Sequence, residues 1–389
     1  MMIEIFKLQN QIKHYEWGSP ELLPEFLGLE NPKALPWAEM WMGTHDSAPS
    51  LALCAGNLVN LSQIAQGRLP FLFKLIAVAK PLSLQAHPNS AQAVEGFRRE
   101  NEAGIALDAP NRNYKDESHK PEIICAITPF TVMAGFREPE KISGSLEAFR
   151  SFAPSAEKPV SVLLRALAKG SGGGALKDFL RCLFQFSKQE RETICACIIE
   201  KADGADSGIR HEQFQLMRDF ALQYPADAAV ISPLFLNLFT LQPFQAVFLP
   251  AGILHSYISG FGAELMANSD NVLRGGLTPK HVDAGELMNI LEFKPFMPSV
   301  LTPSTAQSFR YPASCGGAVL SLLRGNGPES PFPEKENALC VVTEGELSAG
   351  EKIFKKGESF FIPRSAGQPV FSGNYTLFAA CEGEDGQEQ

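Results

Sequence analysis

The strongest constraint on this chain is a change of period along it. From Trp17 to about Phe136 the apolar residues come in short runs cut by Pro and Gly, as in Leu69 to Leu75, Leu82 to Ala86 and Ile123 to Ile127. Such punctuation at that length predicts β-strands. Near Pro139 the pattern changes. Leu176, Phe179, Leu180, Leu183 and Phe184 recur at helical spacing within Ala175 to Phe186, and Glu192 to Lys201 and Glu212 to Leu222 behave alike. Strand-like text returns at about Gln242 with Phe244 to Leu249, and a last set of strands runs from about Leu301 to Cys381. The class is therefore α+β, mainly β, with a helical insertion or an intervening helical domain between β parts. At 389 residues, two or three units are expected.

The glycine-rich stretch Gly170 to Gly174 precedes a helix, as phosphate-binding loops do, but it follows Val162 to Lys169, which is helical in pattern and not a strand. It reads as a flexible helix–helix connection. The closing strands have a rhythm of their own: Ala338 to Val342, a turn at Gly345, Lys352 to Phe354, then Gly357 to Pro363. Alternating strands closed by a glycine turn and an Ile-Pro end resemble a jelly roll of the cupin type. The last histidine of the chain is His281, so this unit lacks the imidazoles of a metal-binding cupin and is expected to be structural.

Charge and cysteine usage narrow the partners. The formal net charge of −9 argues against nucleic acid or an acidic membrane as a main partner, and an anionic ligand would need a local basic pocket. No apolar run reaches the roughly 18 residues of a membrane span, because Lys74 and Pro233 break the longest ones. Met1 to Asn10 carries Glu4 and Lys7 where a signal peptide would place a basic cluster and an apolar stretch. The eight cysteines form no CxxC pair and read as packing thiols in a reducing compartment. A cytoplasmic monomer without a membrane partner is expected.

Three segments carry candidate chemistry. In Pro81 to Asn89 a strand runs into a proline stop, and alternation puts Ser83, Gln85 and His87 on one face. A surface strand end explains that face about as well as a metal site does. In Lys115 to Glu122 a carboxylate stands at the mouth of an apolar strand beside Lys120 and His119, an arrangement also common in solvated loops. In Leu249 to Tyr257 a Pro-x-Gly turn delivers His255 onto a strand, as either a ligand or a hydrogen-bonded core histidine. Together the segments supply Gln85, His87, Glu122 and His255, each at a strand end. Two imidazoles and one carboxylate leave a divalent ion with residual positive charge and room for water or substrate. The amide oxygen hardens the set, so Zn²⁺ is preferred while Mn²⁺, Co²⁺ or Fe²⁺ could compete.

These segments, with Trp17-Gly18, Ala38 to His45 and the seventeen-residue run Glu264 to Lys280, resemble the type I phosphomannose isomerases. The resemblance covers about Gln11 to Phe293 well and the last strands only loosely. Ser256 after His255 and Ser118 before His119 depart from the family pattern beside the functional positions.

The resemblance implies a cupin-type catalytic barrel formed discontinuously by 1–138 and 241–300, interrupted by a helical insertion at 139–240 and followed by a second jelly roll without metal ligands at 301–389. It implies zinc, one ion per chain, on Gln85, His87, Glu122 and His255, a catalytic arginine at Arg274, and interconversion of mannose 6-phosphate and fructose 6-phosphate, so that the partner is a phosphorylated hexose. For such a reaction Lys120 is the candidate proton shuttle, and His119 could assist ring opening. Lys74 and Ser83 are candidate substrate contacts, with surface or core roles equally open. Glu264 is a candidate sugar-hydroxyl ligand or base. Two other classes remain on the table here: a cupin oxygenase using Fe²⁺, which oxygen consumption would reveal, and a non-catalytic sugar-binding barrel.

Overall fold

The computed structural model describes residues 4–170, 172–201 and 208–383. Its strands gather into two sheets, and every pairing between strands is antiparallel. In the first, the order is Val300–Leu301, Ala246–Leu249, Glu122–Ala126, His255–Ala267, Phe71–Val78, Glu39–Met42 and Gln11–Lys13. Four more strands, Leu84–Ala86, Phe130–Phe136, Leu236–Leu241 and Leu273–Gly276, branch from His255–Ala267.

The long strand His255–Ala267 joins the two layers by changing partners midway. Residues 255–259 pair with Leu84–Ala86 and Phe130–Phe136, whereas Gly260 to Ala267 pair with Phe71–Val78 and Glu122–Ala126. The corner falls at Gly260, whose φ is +126° and where a Cβ would lie 2.6 Å from the Pro129 carbonyl oxygen. Only glycine permits that approach. Phe71–Val78 is buried at every position, as a strand covered on both faces must be.

The second sheet runs Ser308–Cys315, Ala318–Pro331, Val370–Glu382, Ala338–Ala349, Ser359–Ile362, Phe6–Gln9, Leu51–Cys54 and Asn57–Asn60, with Lys352–Lys355 added to Ala338–Ala349. Three of its strands thus come from residues 6–60, a range expected to lie wholly in the first barrel. Phe6 pairs with Phe361, and Leu8 with Ala52. The two sheets share one core. Phe71, Phe73, Ile123 and Leu265 from the first form a single apolar cluster with Leu320, Leu322, Phe361 and Phe378 from the second.

The helical block consists of Pro139–Phe152, Glu157–Lys169, Gly172–Phe184, Lys188–Glu200 and His211–Gln223, closed by the short turns Ala228–Ile231 and Ser232–Phe235. It packs against the branch strands: Phe149, Leu163, Phe179 and Phe220 share a cluster with Leu84, Met133, Leu254 and Leu273. The block therefore buttresses the layer that carries His87 and His255.

Local details differ from the sequence reading in three places. Gly172 to Gly174 form the first turn of a helix, not a loose connection, and a Cβ on Gly173 would meet the Phe293 carbonyl oxygen at 2.1 Å. Leu236–Leu241, inside the stretch expected to be helical, is a strand paired with Phe130–Phe136. Ser90–Glu102, inside the stretch read as sheet, is a helix opened by a capping box between Asn89 and Gln92. Its buried face is Ala93, Gly96 and Glu100, too polar to show an apolar stripe. All eight cysteines are free thiols, and no helix among the described residues is long and apolar enough to cross a membrane.

Candidate metal centre

The short strand Leu84–Ala86 sits between His255–Ala267 and Leu273–Gly276, so that Gln85 is the register partner of His255 on one side and of Arg274 on the other. The strand ends at Ala86, just before His87 and Pro88, and the His87 carbonyl oxygen accepts a 2.8 Å hydrogen bond from Gly252 N, which ties the Pro-x-Gly turn before His255 to His87. The Ser256 hydroxyl donates to the Leu82 carbonyl at 2.7 Å and anchors the segment that leads into Gln85. Glu122 opens Glu122–Ala126 and lies opposite Leu249 and Met266.

These placements bring His87, Glu122 and His255 together, all buried, with ligand atoms within 4.8 Å of one another. His87 Nε2 lies 3.2 Å from Glu122 Oε1, and His255 Nε2 lies 3.4 Å from Glu122 Oε2. Each imidazole is fixed from behind: His87 Nδ1 meets the Asn271 carbonyl oxygen at 2.7 Å, and His255 Nδ1 meets the Ile253 carbonyl oxygen at 2.8 Å. A carbonyl only accepts, so Nδ1 of each ring carries a proton and points backward, which leaves Nε2 facing the carboxylate. His87 Nε2, His255 Nε2 and Glu122 Oε2 are buried without any hydrogen bond. Three converging buried lone pairs are costly unless a cation sits among them. Backbone-anchored Nδ1–H groups are also the usual outer support of metal-binding histidines.

Electrostatics favour the same donor state. Burial, reinforced by Lys120, pushes the His87 imidazole down to about 4. Burial alone would raise the Glu122 carboxyl, but Lys120 and the imidazoles hold it well below the carboxylate range. At neutral pH His87 is therefore neutral and Glu122 anionic, and with the His255 imidazole beside them they make a donor set that suits Zn²⁺. Gln85 is half-buried on the adjoining strand, and its Oε1 accepts from the Ser83 hydroxyl at 3.3 Å.

Around this trio the other expected residues fall into groups. Lys120 is buried with Nζ 3.1 Å from Glu122 Oε1. Lys74 is buried between Glu39 (3.5 Å) and Glu264 (3.3 Å), and lies over the Trp41 ring, whose Nε1 donates to Glu39 at 2.6 Å. Burial opposes its charge, but the two carboxylates prevail and raise its pKa. Glu264, directly opposite Lys74 in register, is raised by burial and by Glu122 and Glu39. His119 is half-buried, with Nδ1 3.1 Å from the Ser90 hydroxyl.

Arg274 is half-buried beside Gln85, and burial lowers its pKa. Lys280, which the sequence reading did not single out, has its pKa lowered by burial, by Arg274 and by Lys115. Asp270 was missed as well. Burial would raise its carboxyl, but a 3.3 Å contact with His45 Nε2, together with Lys120 and Lys74, holds it low. Both residues lie within the Glu264 to Lys280 run, where they were noticed only as part of the run.

The family model described as phosphomannose isomerase type I, catalytic domain, matches residues 5–139. The mannose-6-phosphate isomerase of Escherichia coli (strain K12) is 34% identical over 394 residues, covering 95% of this chain and 98% of its own length, and that of Homo sapiens is 30% identical across 75% of this chain. The likeness therefore continues through the closing strands. A zinc-bound mannose 6-phosphate isomerase structure superposes with a TM-score of 0.87 at 34% identity over 97% of this chain and 99% of its own. The Salmonella typhimurium enzyme with fructose 6-phosphate and zinc gives 0.86 at 33%, with the same coverage. On the metal-ready trio and on likeness along nearly its whole length, the chain belongs to the type I mannose-6-phosphate isomerases.

Proposed function

We propose that this protein interconverts mannose 6-phosphate and fructose 6-phosphate with Zn²⁺ as its cofactor. The observation that carries the reading is the trio of buried, unsatisfied ligand atoms on His87, Glu122 and His255, in a chain of this family. Gln85, on the adjoining strand, is the fourth ligand in this reading.

Aldose–ketose isomerisation opens the sugar ring, moves a proton between C1 and C2, and stabilises negative charge on an enediolate. His87, Glu122 and His255, with Gln85, would hold Zn²⁺, which when bound would supply Lewis acidity for charge developing on sugar oxygens. Arg274 places a permanent, planar cation beside the strand that holds Gln85, where it offsets the developing oxyanion. Lys120, 3.1 Å from Glu122, moves the proton, and His119 assists ring opening. Lys74, held between Glu39 and Glu264, and Ser83, beside Gln85, bind sugar oxygens, while Glu264 accepts from a hydroxyl or serves as a base. Arg274 and Lys115 lie near enough to Lys280 to depress its pKa, and on a chain of net charge −9 this cluster of cations is where a phosphate is best received. The protein acts on a phosphorylated hexose as a monomer in the cytoplasm.

A coupled assay on mannose 6-phosphate, run before and after treatment with a strong chelator, tests the reading. Activity should disappear with the metal and return with Zn²⁺; full turnover by metal-free protein would sink it.

A further inference from the structure

Two of the three clustered ligands stand at the margins of strands, His87 just past the end of Leu84–Ala86 and Glu122 at the start of Glu122–Ala126, and one buried residue ties the segments beside them together. Residues 115–121, which carry Lys120 and lead into Glu122, are neither helix nor strand. Their backbone groups must find partners outside a ladder. Asn271, fully buried, provides them. Its Oδ1 accepts from Lys115 N at 2.6 Å and from Asp116 N at 3.2 Å, and its Nδ2 donates to the carbonyls of Asp116 and Ser118, each at 2.9 Å. The main chain of the same residue faces the other way. Its carbonyl oxygen meets His87 Nδ1 at 2.7 Å.

The junction is doubled by Asp116. Its Oδ1 accepts from Ser118 N (2.9 Å), the Ser269 hydroxyl (2.8 Å) and Asn271 Nδ2 (3.2 Å), and its Oδ2 accepts from Asp270 N at 2.9 Å. Ser269 Oγ in turn accepts from Asn271 N at 3.2 Å. Only an amide can serve Asn271's position, because two donors and an acceptor are needed from one short side chain. An aspartate of the same shape would set oxygen against two carbonyls and a carboxylate.

We propose that Asn271 is a positioning residue for the metal centre. With its side chain it fixes the 115–121 segment ahead of Glu122, and with its carbonyl it fixes the tautomer and angle of His87, so that these two ligands are set relative to each other by one residue. Outer partners of this kind typically alter metal affinity by about 10- to 100-fold when lost. The inference rests on the metal site read above.

The test uses the full-length protein stripped of metal. Zn²⁺ affinity is measured by competition with a chromophoric chelator, the visible spectrum of the Co²⁺-loaded protein is recorded, and the melting temperature of the metal-free form is followed. Asn271→Asp should weaken Zn²⁺ binding by about 10-fold or more and change the Co²⁺ spectrum. Asp116→Asn, which turns Oδ2 into a donor against Asp270 N, should do the same at the lower end of that range, about 10-fold. If Asn271→Asp does not fold, Asp116→Asn decides by the same two readings. A variant that melts earlier yet keeps its Zn²⁺ affinity within about twofold, with an unchanged Co²⁺ spectrum, would show that Asn271 merely holds the fold. His87→Ala separates the two failures. If it also binds Zn²⁺ like the parent, the metal site itself is misplaced; if it loses Zn²⁺ while Asn271→Asp does not, only the positioning role is wrong.

Discussion

The two sheets of this protein are both antiparallel throughout and are filled differently. Inside the first and its branch lie Glu39, Lys74, His87, Lys120, Glu122, His255 and Glu264, all buried. Among the described residues beyond 301, the buried polar side chains are Ser321, Thr343, Ser359 and Thr376, hydroxyls without charge. Thr343 and Thr376 spend theirs on local bonds, to the Thr376 carbonyl and to Glu344. A buried charge costs several kcal/mol unless it is paired, so a fold keeps a cluster of them only where something is done with it. The contrast separates a sheet that supplies stability from one that uses it for chemistry, and the shared core lets the first support the second.

The largest effect that could break this division is loss of a ligand. His87→Ala and His255→Ala should each bind far less metal and lose isomerase activity, while elemental analysis of the parent should find one ion per chain. A second tight ion on residues beyond 301 would overturn the assignment of that sheet.

Next in size is a truncation in the second sheet. Phe361→Ala, at a fully buried position in the shared core, should cost about 3–5 kcal/mol by denaturant titration. The kcat of the protein still folded should not change; a fall in kcat would mean that the second sheet contributes to the chemistry.

Arg274→Lys tests the other side. Lysine keeps the charge but loses the planar fork, so kcat should fall on the order of 10²-fold while KM moves little. Normal turnover with raised KM would demote Arg274 to a binding contact.

The smallest effect is a pH dependence of the metal-free protein. His87 is depressed from 6.5 to about 4 in the fold, so between those values the unfolded chain binds more protons than the native one. Its contribution is intact above about pH 6.5 and drains away as the pH falls toward 4, by on the order of 1–3 kcal/mol. Glu122, held low, acts in the same direction at more acid pH. Urea titrations of the metal-free chain across this range check it, and a His87→Ala chain with the same slope would refute the assignment.

Much of this contrast was legible before any fold was known, for reasons visible in particular residues. The helical spacing of Leu176, Phe179, Leu180 and Leu183 marks a real helix because one face of it is buried. Gln85, His87, Glu122 and His255 stood out because polar residues at the ends of apolar strands need a reason. What stayed hidden is of two kinds. The helix Ser90–Glu102 buries Glu100 against the backbone N–H groups of Asn113 and Tyr114, and polar packing leaves no apolar stripe. Asn271 and Asp270 meet partners far away in sequence, and no local spacing announces such contacts. The same holds for Phe6–Gln9, whose neighbours in the second sheet could not be told from its own composition.

That first strand has a consequence in time. Lys7 and Glu358, joined by an ion pair across the Phe6–Gln9 and Ser359–Ile362 strands, stand 351 residues apart. A ribosome adding about 5–20 residues per second needs on the order of tens of seconds to pass from one to the other. Throughout that interval Phe6 and Leu8 have no partner strand on the Ser359–Ile362 side, and the shared core cannot close. The emerging chain must wait with an apolar strand uncovered, which makes the nascent protein, more than the finished one, the form that chaperones would have to shelter.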